Sequence, residues 1–262
     1  MNVYRKEIRS GLRSMLFWSL GVLLFLAASM QKYSALSLDP ASLNIMTQLP
    51  KALQDMFGVG YLDFTKLSGF YGMIYPYLVL MAAVHASMQG AVIVSKEERD
   101  HTSEFLYAKP ASRLNVLTAK GLAALTAAAV LNLVIFAASL SLFGGEAGML
   151  ATIAWLSAGL FLVQLVFLAF GVWAAAAFAR PKAATGIVTG GMLGTYLLSI
   201  AIDVSGKLGA LKAFTPFEYF DARRIIGRGE GLNIGYVLLS LALTAVLTAW
   251  ACRSFSRRDL KV

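Results

Sequence analysis

A charged run that contains Glu97, Glu98 and Glu104 is the part of this sequence best suited to chemistry. The run becomes apolar after Glu104 and meets Pro110. Proline cannot continue a helix, so this pattern predicts a short amphipathic helix over residues 96–110. Such a helix would present its carboxylates to the solvent and would suit docking of a protein partner. A solvated charge run without a partner is the alternative interpretation.

Two polar residues in an otherwise apolar stretch, His85 and Gln89, form the second candidate set. Ionisable and polar groups inside a membrane mark ion or proton pathways, but they also join neighbouring helices by hydrogen bonds. Both interpretations apply to this pair. Proton-coupled transporters keep carboxylates within their spans, whereas the apolar stretches of this sequence hold no acid far from their ends.

Signatures of catalysis are absent from the sequence. The single Gly-Lys pair, Gly206-Lys207, lacks the preceding glycine and the following Ser or Thr of a nucleotide-binding P-loop. The sequence has no H-E-x-x-H, no cluster of Cys and His, and no G-x-S-x-G. We therefore expect a chain that is not an enzyme, binds no metal or cofactor, and does not hydrolyse ATP itself.

The composition indicates whether the chain lies in water or in a membrane. Of 262 residues, 58% are hydrophobic and 14% are charged, whereas soluble domains have about 25% charged residues. Six uncharged stretches reach the length of about 20 residues that a membrane helix needs. We expect an all-α integral membrane protein forming a single domain over 1–262. Its spans are predicted at about 14–31, 70–95, 114–143, 149–179, 183–202 and 232–252.

The distribution of basic residues gives the orientation. Six spans place both termini on one side, and 15 of the 23 lysines and arginines fall on that side. By the positive-inside rule this side is cytoplasmic. The net charge of +9 therefore has a topological cause, and no nucleic-acid partner is needed to explain it. A cleaved signal peptide is the alternative to a retained first span, and its removal would leave the remaining topology unchanged.

The first thirteen residues have the pattern of an amphipathic helix. Tyr4, Ile8 and Leu12 recur at a spacing of four, which suits a helix lying in the membrane interface. A basic tail that only fixes orientation is the alternative. The basic residues of this segment are Arg5, Lys6, Arg9 and Arg13.

The fifth span carries Gly186, Gly190 and Gly194 at a spacing of four. A face of small residues allows two helices to approach closely. The partner helix belongs either to a second chain or to another span of the same chain.

The segment from Glu97 to Lys120 resembles the first cytoplasmic loop of ATP-binding-cassette (ABC) type-2 exporter permeases. That family typically has an acidic pair, Gly-Thr, Glu, an apolar pair, Pro-x-Ser-Arg and a Lys seven residues later. The matching residues are Glu97, Glu98, Thr102, Glu104, Phe105, Leu106, Pro110, Ser112, Arg113 and Lys120. His101 replaces the usual glycine. The segments 49–53 and 216–221 also resemble outer segments of the family, so the resemblance covers most of the chain.

The resemblance implies a permease subunit that forms the substrate pathway of a transporter. The helix at 96–110 would be the coupling helix that docks a separate cytoplasmic ATPase, and that ATPase would bind the ATP and magnesium. The N-terminal helix would be an elbow helix in contact with membrane lipid. A second permease chain, identical or not, would pair near the first and fifth spans. The membrane would be the cytoplasmic membrane of a prokaryote.

Two other functions remain compatible with the residues themselves. One is an autonomous secondary transporter, which the scarcity of buried acids disfavours. The other is a membrane anchor or sensor that docks a soluble partner through the same charged run without moving a substrate. Dependence of the partner's ATPase activity on this chain separates the permease from both.

Overall fold

A computed structural model of the chain describes residues 3–37, 50, 54, 62–100, 112–178, 180–205 and 208–257. Its long helices are α1 (Val3–Ser37), α2 (Leu67–Arg99), α3 (Arg113–Phe143), α4 (Met149–Ala177), α5 (Pro181–Ser205) and, after the short α6 (Ala222–Arg228), α7 (Ile234–Arg257). All of these except α6 are long and apolar enough to cross a membrane. The prediction of an all-α membrane protein with six spans is confirmed.

The bundle has two chemically different ends. The start of α1, the end of α2 and the start of α3 meet at one end, as contacts among Glu7, Lys96 and Lys120 show. We call this the basic end, because it is the end to which the sequence assigns the excess of lysine and arginine. At the opposite end, residues 208–233 fold into two short 3-10 helices, Gly209–Phe214 and Pro216–Glu218, followed by α6. We call residues 208–233 the cap segment.

Helices α2 and α4 form the centre of the bundle. Two thirds of the apolar window of each is buried, compared with 11% for α1 and for α7. Their backbones touch at two glycines, Gly90 and Gly171. A Cβ atom at Gly90 would lie 2.5 Å from the carbonyl oxygen of Leu168, so any larger residue there would separate the two helices.

Two helix boundaries differ from the sequence predictions. Residues 3–13 continue into the first span without a break, so the predicted elbow helix is the first part of α1 rather than a separate element. Glu97 and Glu98 lie in the last turn of α2, not in an independent helix beginning at residue 96. The rest of the predicted coupling helix, residues 101–110, lies outside the described residues.

The start of α3 follows the sequence closely. Ser112 caps the helix, because its Oγ accepts a hydrogen bond of 3.2 Å from the backbone N–H of Asn115. A serine in this position satisfies one of the N–H groups that have no partner within the helix. The direction in which the chain enters α3 is thus fixed immediately after the predicted docking segment.

Candidate functional site at the basic end of the bundle

Lys120 of α3 is the centre of a buried group of charges at the basic end. Its ammonium group donates a hydrogen bond of 2.6 Å to the carbonyl oxygen of Ile93 and forms an ion pair with Glu97. The Nζ of Lys120 also lies 3.8 Å from Oε1 of Glu7. Only 2% of Lys120 is exposed, so this charge depends on its protein partners.

Glu7 extends this group of charges to α1 and to a second lysine. Its other carboxylate oxygen pairs with Lys96 of α2, and Lys96 also donates a hydrogen bond of 3.3 Å to Oγ of Ser10. Glu7 is 3% exposed and Glu97 is 7% exposed. We refer to Glu7, Lys96, Glu97 and Lys120 as the ion network.

The ion network joins three helices at one point. Residues 96 and 97 lie three and four positions after residue 93, so all three share one face of α2. Two acids and two bases balance, so the ion network carries no net formal charge. Buried ion pairs add little net stability, because desolvation offsets their attraction, but removal of one partner leaves an expensive unpaired charge. The consequence is geometric: the end of α2 is held in one position relative to α1 and α3.

The structure corrects the predicted role of one docking residue. Glu97 does not face the solvent, because its carboxylate is buried against Lys120. Glu98 is half-buried, and Arg113 is exposed at the start of α3. The other predicted docking residues lie outside the described residues: Thr102, Glu104, Phe105, Leu106 and Pro110.

The N-terminal part of α1 packs inward at two of its three predicted apolar positions, whereas Leu12 is 41% exposed. Tyr4 and Ile8 pack against an apolar cluster formed mainly by α2, α3 and α4. The Tyr4 hydroxyl forms a hydrogen bond of 3.0 Å with Oγ1 of Thr126. The exposed basic residues on this part of α1 are Arg5, Lys6, Arg9 and Arg13.

His85 and Gln89 lie at the contact between α1 and α2. The His85 ring packs edge-on against Trp18, with 5.6 Å between ring centroids. The Nδ1 atom of His85 has no hydrogen-bond partner in the described part of the chain. Gln89 lies beside Gly11, where an added Cβ would be 3.7 Å from Nε2 of Gln89. His85 therefore contributes ring packing, and both residues line a contact between helices.

The glycine face of α5 makes no close contact with the described part of the chain. A Cβ atom added at Gly186, Gly190 or Gly194 would have no described neighbour within 4 Å. By contrast, a Cβ atom at Gly191 would lie 2.8 Å from the ring of Phe170 on α4. The sequence allowed this face to pack against a second chain or against another span of the same chain. The described contacts of the face include no other span of the same chain.

A second group of charges lies at the opposite end. Nη2 of Arg223 in α6 donates a hydrogen bond of 2.6 Å to Asp203 at the end of α5, and its Nε lies 2.8 Å from both carboxylate oxygens of Asp221. Burial lowers the pKa of Arg223, but the two carboxylates outweigh burial and raise it overall. Lys212 pairs with Glu218 at 2.9 Å within the cap segment.

The aromatic residues of the cap segment pack into the bundle. Tyr219 and Phe220 are each 4% exposed, whereas Phe214 is 70% exposed. The Tyr219 ring stacks on Tyr236 of α7 at 4.9 Å, and its hydroxyl donates a hydrogen bond of 2.5 Å to the carbonyl of Ala213. Among these three aromatic residues, Phe214 is the one with an exposed ring.

Sequence reasoning missed Glu7 and the role of Lys120. The signal in the sequence was Lys120 itself. An unpaired lysine within a membrane span has a high free-energy cost, so Lys120 required an acidic partner on a neighbouring helix. The described residues contain no group of three or more His, Cys, Asp or Glu side chains arranged to hold a metal ion.

Comparison with known proteins agrees with this architecture. A family model described as ABC-2 family transporter protein matches residues 1–260. No curated protein matches the chain. The family and the six apolar helices describe a multi-pass protein of the plasma membrane. The chain belongs to the ABC-2 transporter family and is a membrane component of an ABC transporter.

Proposed function

We propose that this chain is the permease subunit of an ABC exporter whose ATP hydrolysis takes place on a separate cytoplasmic ATPase. The basic end of the bundle would then face the cytoplasm. The partner ATPase would dock on the segment formed by the last turn of α2 and residues 101–110. ATP and magnesium would bind to the ATPase, and this chain would supply the membrane pathway.

The observation that carries this proposal is the position of the ion network. It fixes the last turn of α2 immediately before the segment that resembles a coupling helix, and Lys120 lies two turns into the helix that follows this segment. A force applied to residues 101–110 would therefore act on α1, α2 and α3 together. A connector that only spanned the gap between two helices would need no such anchoring.

The mechanism follows from differential binding. The ATPase would favour one arrangement of the permease when ATP is bound and another after hydrolysis, since a ligand shifts an equilibrium only through unequal affinity for its states. Motion of the docked segment would tilt α1, α2 and α3 as one group. The central contact of α2 with α4 at Gly90 and Gly171 would transmit this motion toward the cap segment.

A second permease chain completes the proposal. The open glycine face of α5 and the exposed apolar side chains of α1, which include Leu16, Phe17 and Leu20, suit a helix-to-helix contact between two permeases. Small residues permit close backbone approach in a membrane, where packing rather than water exclusion drives association. Two such chains would enclose the pathway between them.

The experiment is purification of the full chain in mild detergent from membranes that express its native neighbours. The expected result is a stoichiometric soluble partner with ATPase activity that depends on the permease. Recovery of the chain alone, without ATPase activity, would contradict the proposal. In that case transport that persists without ATP and collapses with an ion gradient would identify a secondary transporter. A chain that binds a partner without transport would be an anchor or sensor.

A further inference from the structure

A cavity of about 110 Å³ lies at the opposite end of the bundle, enclosed by α2, α5 and the cap segment. We call it the cap cavity. Its volume is smaller than the roughly 300–1,000 Å³ of sites that take a whole drug-sized ligand. It therefore has room for one compact chemical group. Four aromatic residues contribute to its wall: Tyr75, Tyr196, Phe217 and Phe220.

The charged part of the wall has an excess of acid. Asp203, Glu218 and Asp221 line the cap cavity, and Arg223 is the basic residue among its described lining residues. The guanidinium group of Arg223 is engaged by Asp203 at 2.6 Å and by Asp221 at 2.8 Å. Arg223 thus offsets part of the negative charge and leaves the lining with a formal charge of about −2.

Glu218 is the carboxylate that Arg223 does not pair with in the described contacts. Its side chain is 5% exposed, and Nζ of Lys212 lies 2.9 Å from its Oε2. The contact is an ion pair without hydrogen-bond geometry, so this oxygen has a charged partner but no hydrogen-bond donor in the described part of the chain. Burial, followed by the nearby charge of Asp203, raises the pKa of Glu218. The ion pair with Lys212 acts in the opposite direction and offsets part of this rise.

This combination of groups selects one chemical class of ligand. The faces of aromatic rings attract cations, and aromatic walls with a carboxylate recognise ammonium groups that bear methyl substituents. A bare divalent ion would need several oxygen ligands in place of the rings. An anion would meet the excess of carboxylates, and an uncharged apolar group would gain nothing from that excess.

We propose that the cap cavity binds an organic ammonium group through Glu218 and the aromatic face of Tyr196. The ammonium belongs either to a free organic cation or to the headgroup of a membrane lipid. For a free cation, the inference deepens the proposed function, because it names organic cations as a substrate class of the exporter. Binding itself does not depend on the ATPase, so the two proposals are tested separately.

The test uses the full chain in nanodiscs of phosphatidylglycerol, which has no ammonium headgroup, with calorimetric titration of choline. The uncharged isostere 3,3-dimethylbutan-1-ol measures the contribution of shape alone, and empty nanodiscs measure adsorption of choline to lipid. We expect saturable binding of choline and at least about tenfold weaker binding of the isostere. Equal affinity for both, or no saturable binding of choline, would overturn the proposal.

Two variants locate the site. Glu218→Gln removes the charge and keeps the shape, whereas Tyr196→Leu removes the aromatic face and keeps an apolar wall. Each is expected to weaken choline binding about tenfold or more. Asp63→Asn is the matched control, because Asp63 is an acid at the same end with an exposed side chain, and it should leave the affinity unchanged. Unchanged affinity in both cavity variants, with melting temperatures close to that of the wild type, would overturn the site.

Choline titration in nanodiscs of a second lipid composition distinguishes the two sources of the ammonium group. If a lipid headgroup occupies the cap cavity, nanodiscs of phosphatidylcholine should abolish the binding of added choline. If the ligand is a free cation, the two compositions should give the same affinity. Choline binding without any ATPase partner would uphold the site and contradict the proposed function. An ATPase partner with no choline binding would uphold the proposed function and contradict the site.

Discussion

Lys120 and Glu97 form an ion pair in which 2% and 8% of the two side chains are exposed. The pair joins α3 to the last turn of α2, on either side of the segment predicted to dock an ATPase. Both charges have lost most of their hydration through burial. Removal of one would therefore leave the other buried without a compensating charge.

This dependence predicts an asymmetry between single and double substitutions. Lys120→Met should lower the free energy of unfolding by about 3–5 kcal/mol, since it leaves Glu97 buried without a partner. Adding Glu97→Gln should restore most of the loss, because the remaining pair of Glu7 and Lys96 is intact. Denaturant titration of the purified chain in detergent measures both values.

The control for this prediction is Lys66→Met. Lys66 pairs with Asp63 at 3.9 Å, and its side chain is 67% exposed, so its loss should change stability by no more than about 1 kcal/mol. Equal destabilisation of the single and the double variant would show that Lys120 and Glu97 are not energetically coupled.

The spans were predictable from the sequence because hydrocarbon imposes one simple requirement on every residue that crosses it. The helix α3, predicted at 114–143, runs from Arg113 to Phe143. Ser112 was predictable as a cap because that role depends only on its immediate neighbours.

The ion network was not predictable, because it depends on which helices are neighbours. Glu7 and Lys120 are far apart in the sequence, and no periodicity specifies that α1 packs beside α3. The same reason explains Glu97: its charge favoured exposure, whereas its place on the inner face of α2 buries it. The glycines gave a similar difficulty, since Gly90 and Gly171 form the tight contact and the more regular glycines of α5 do not.

The docking proposal predicts that charge reversal at Glu98 uncouples the partner ATPase. Glu98→Lys places a positive charge on the half-buried residue nearest the predicted docking segment. We expect normal membrane insertion but loss of most ATPase stimulation, since like charges at an interface oppose association. Glu104→Lys should act in the same way. The measurement is ATPase activity of the co-purified complex.

Glu230→Lys is the matched control, because it makes the same charge change at an exposed residue of the opposite end. It should leave both association and stimulation intact. Normal association and stimulation in the Glu98 and Glu104 variants would exclude this segment as the docking site.

Adjacent glycines on α5 distinguish contacts within the chain from contacts between chains. Gly190→Leu should leave the stability of the single chain within about 0.5 kcal/mol of the wild type, because no described atom lies near its Cβ position. It should weaken pairing of two permeases, where small residues allow close approach. Native mass spectrometry in detergent reports the ratio of dimer to monomer.

Gly191→Leu should give the opposite pattern. Its side chain would meet the ring of Phe170, so the chain itself should lose about 1–3 kcal/mol of stability through overpacking. If Gly190→Leu leaves the dimer fraction unchanged, the second permease does not bind at this face.

The raised pKa of Glu218 predicts how the stability of the cap segment depends on pH. A carboxyl group whose pKa is raised by folding binds its proton more tightly in the folded chain, so its ionisation opposes folding. Below the ordinary value of 4.5, the wild type and Glu218→Gln should be equally stable. As the pH rises through the raised pKa, the wild type should lose stability relative to the variant, and the difference should then remain constant.

Asp63→Asn provides a comparison of opposite sign. Hydrogen bonds from the side chain and backbone of Thr65 lower the pKa of Asp63, so its ionised form favours folding. The wild type should therefore exceed Asp63→Asn in stability at neutral pH, and the difference should disappear as the pH falls through the lowered pKa. Thermal unfolding of the three chains from a pH well below 3.8 to neutral pH follows both transitions. A Glu218→Gln variant less stable than the wild type at neutral pH would mean that the ion pair with Lys212 outweighs the burial of the carboxylate.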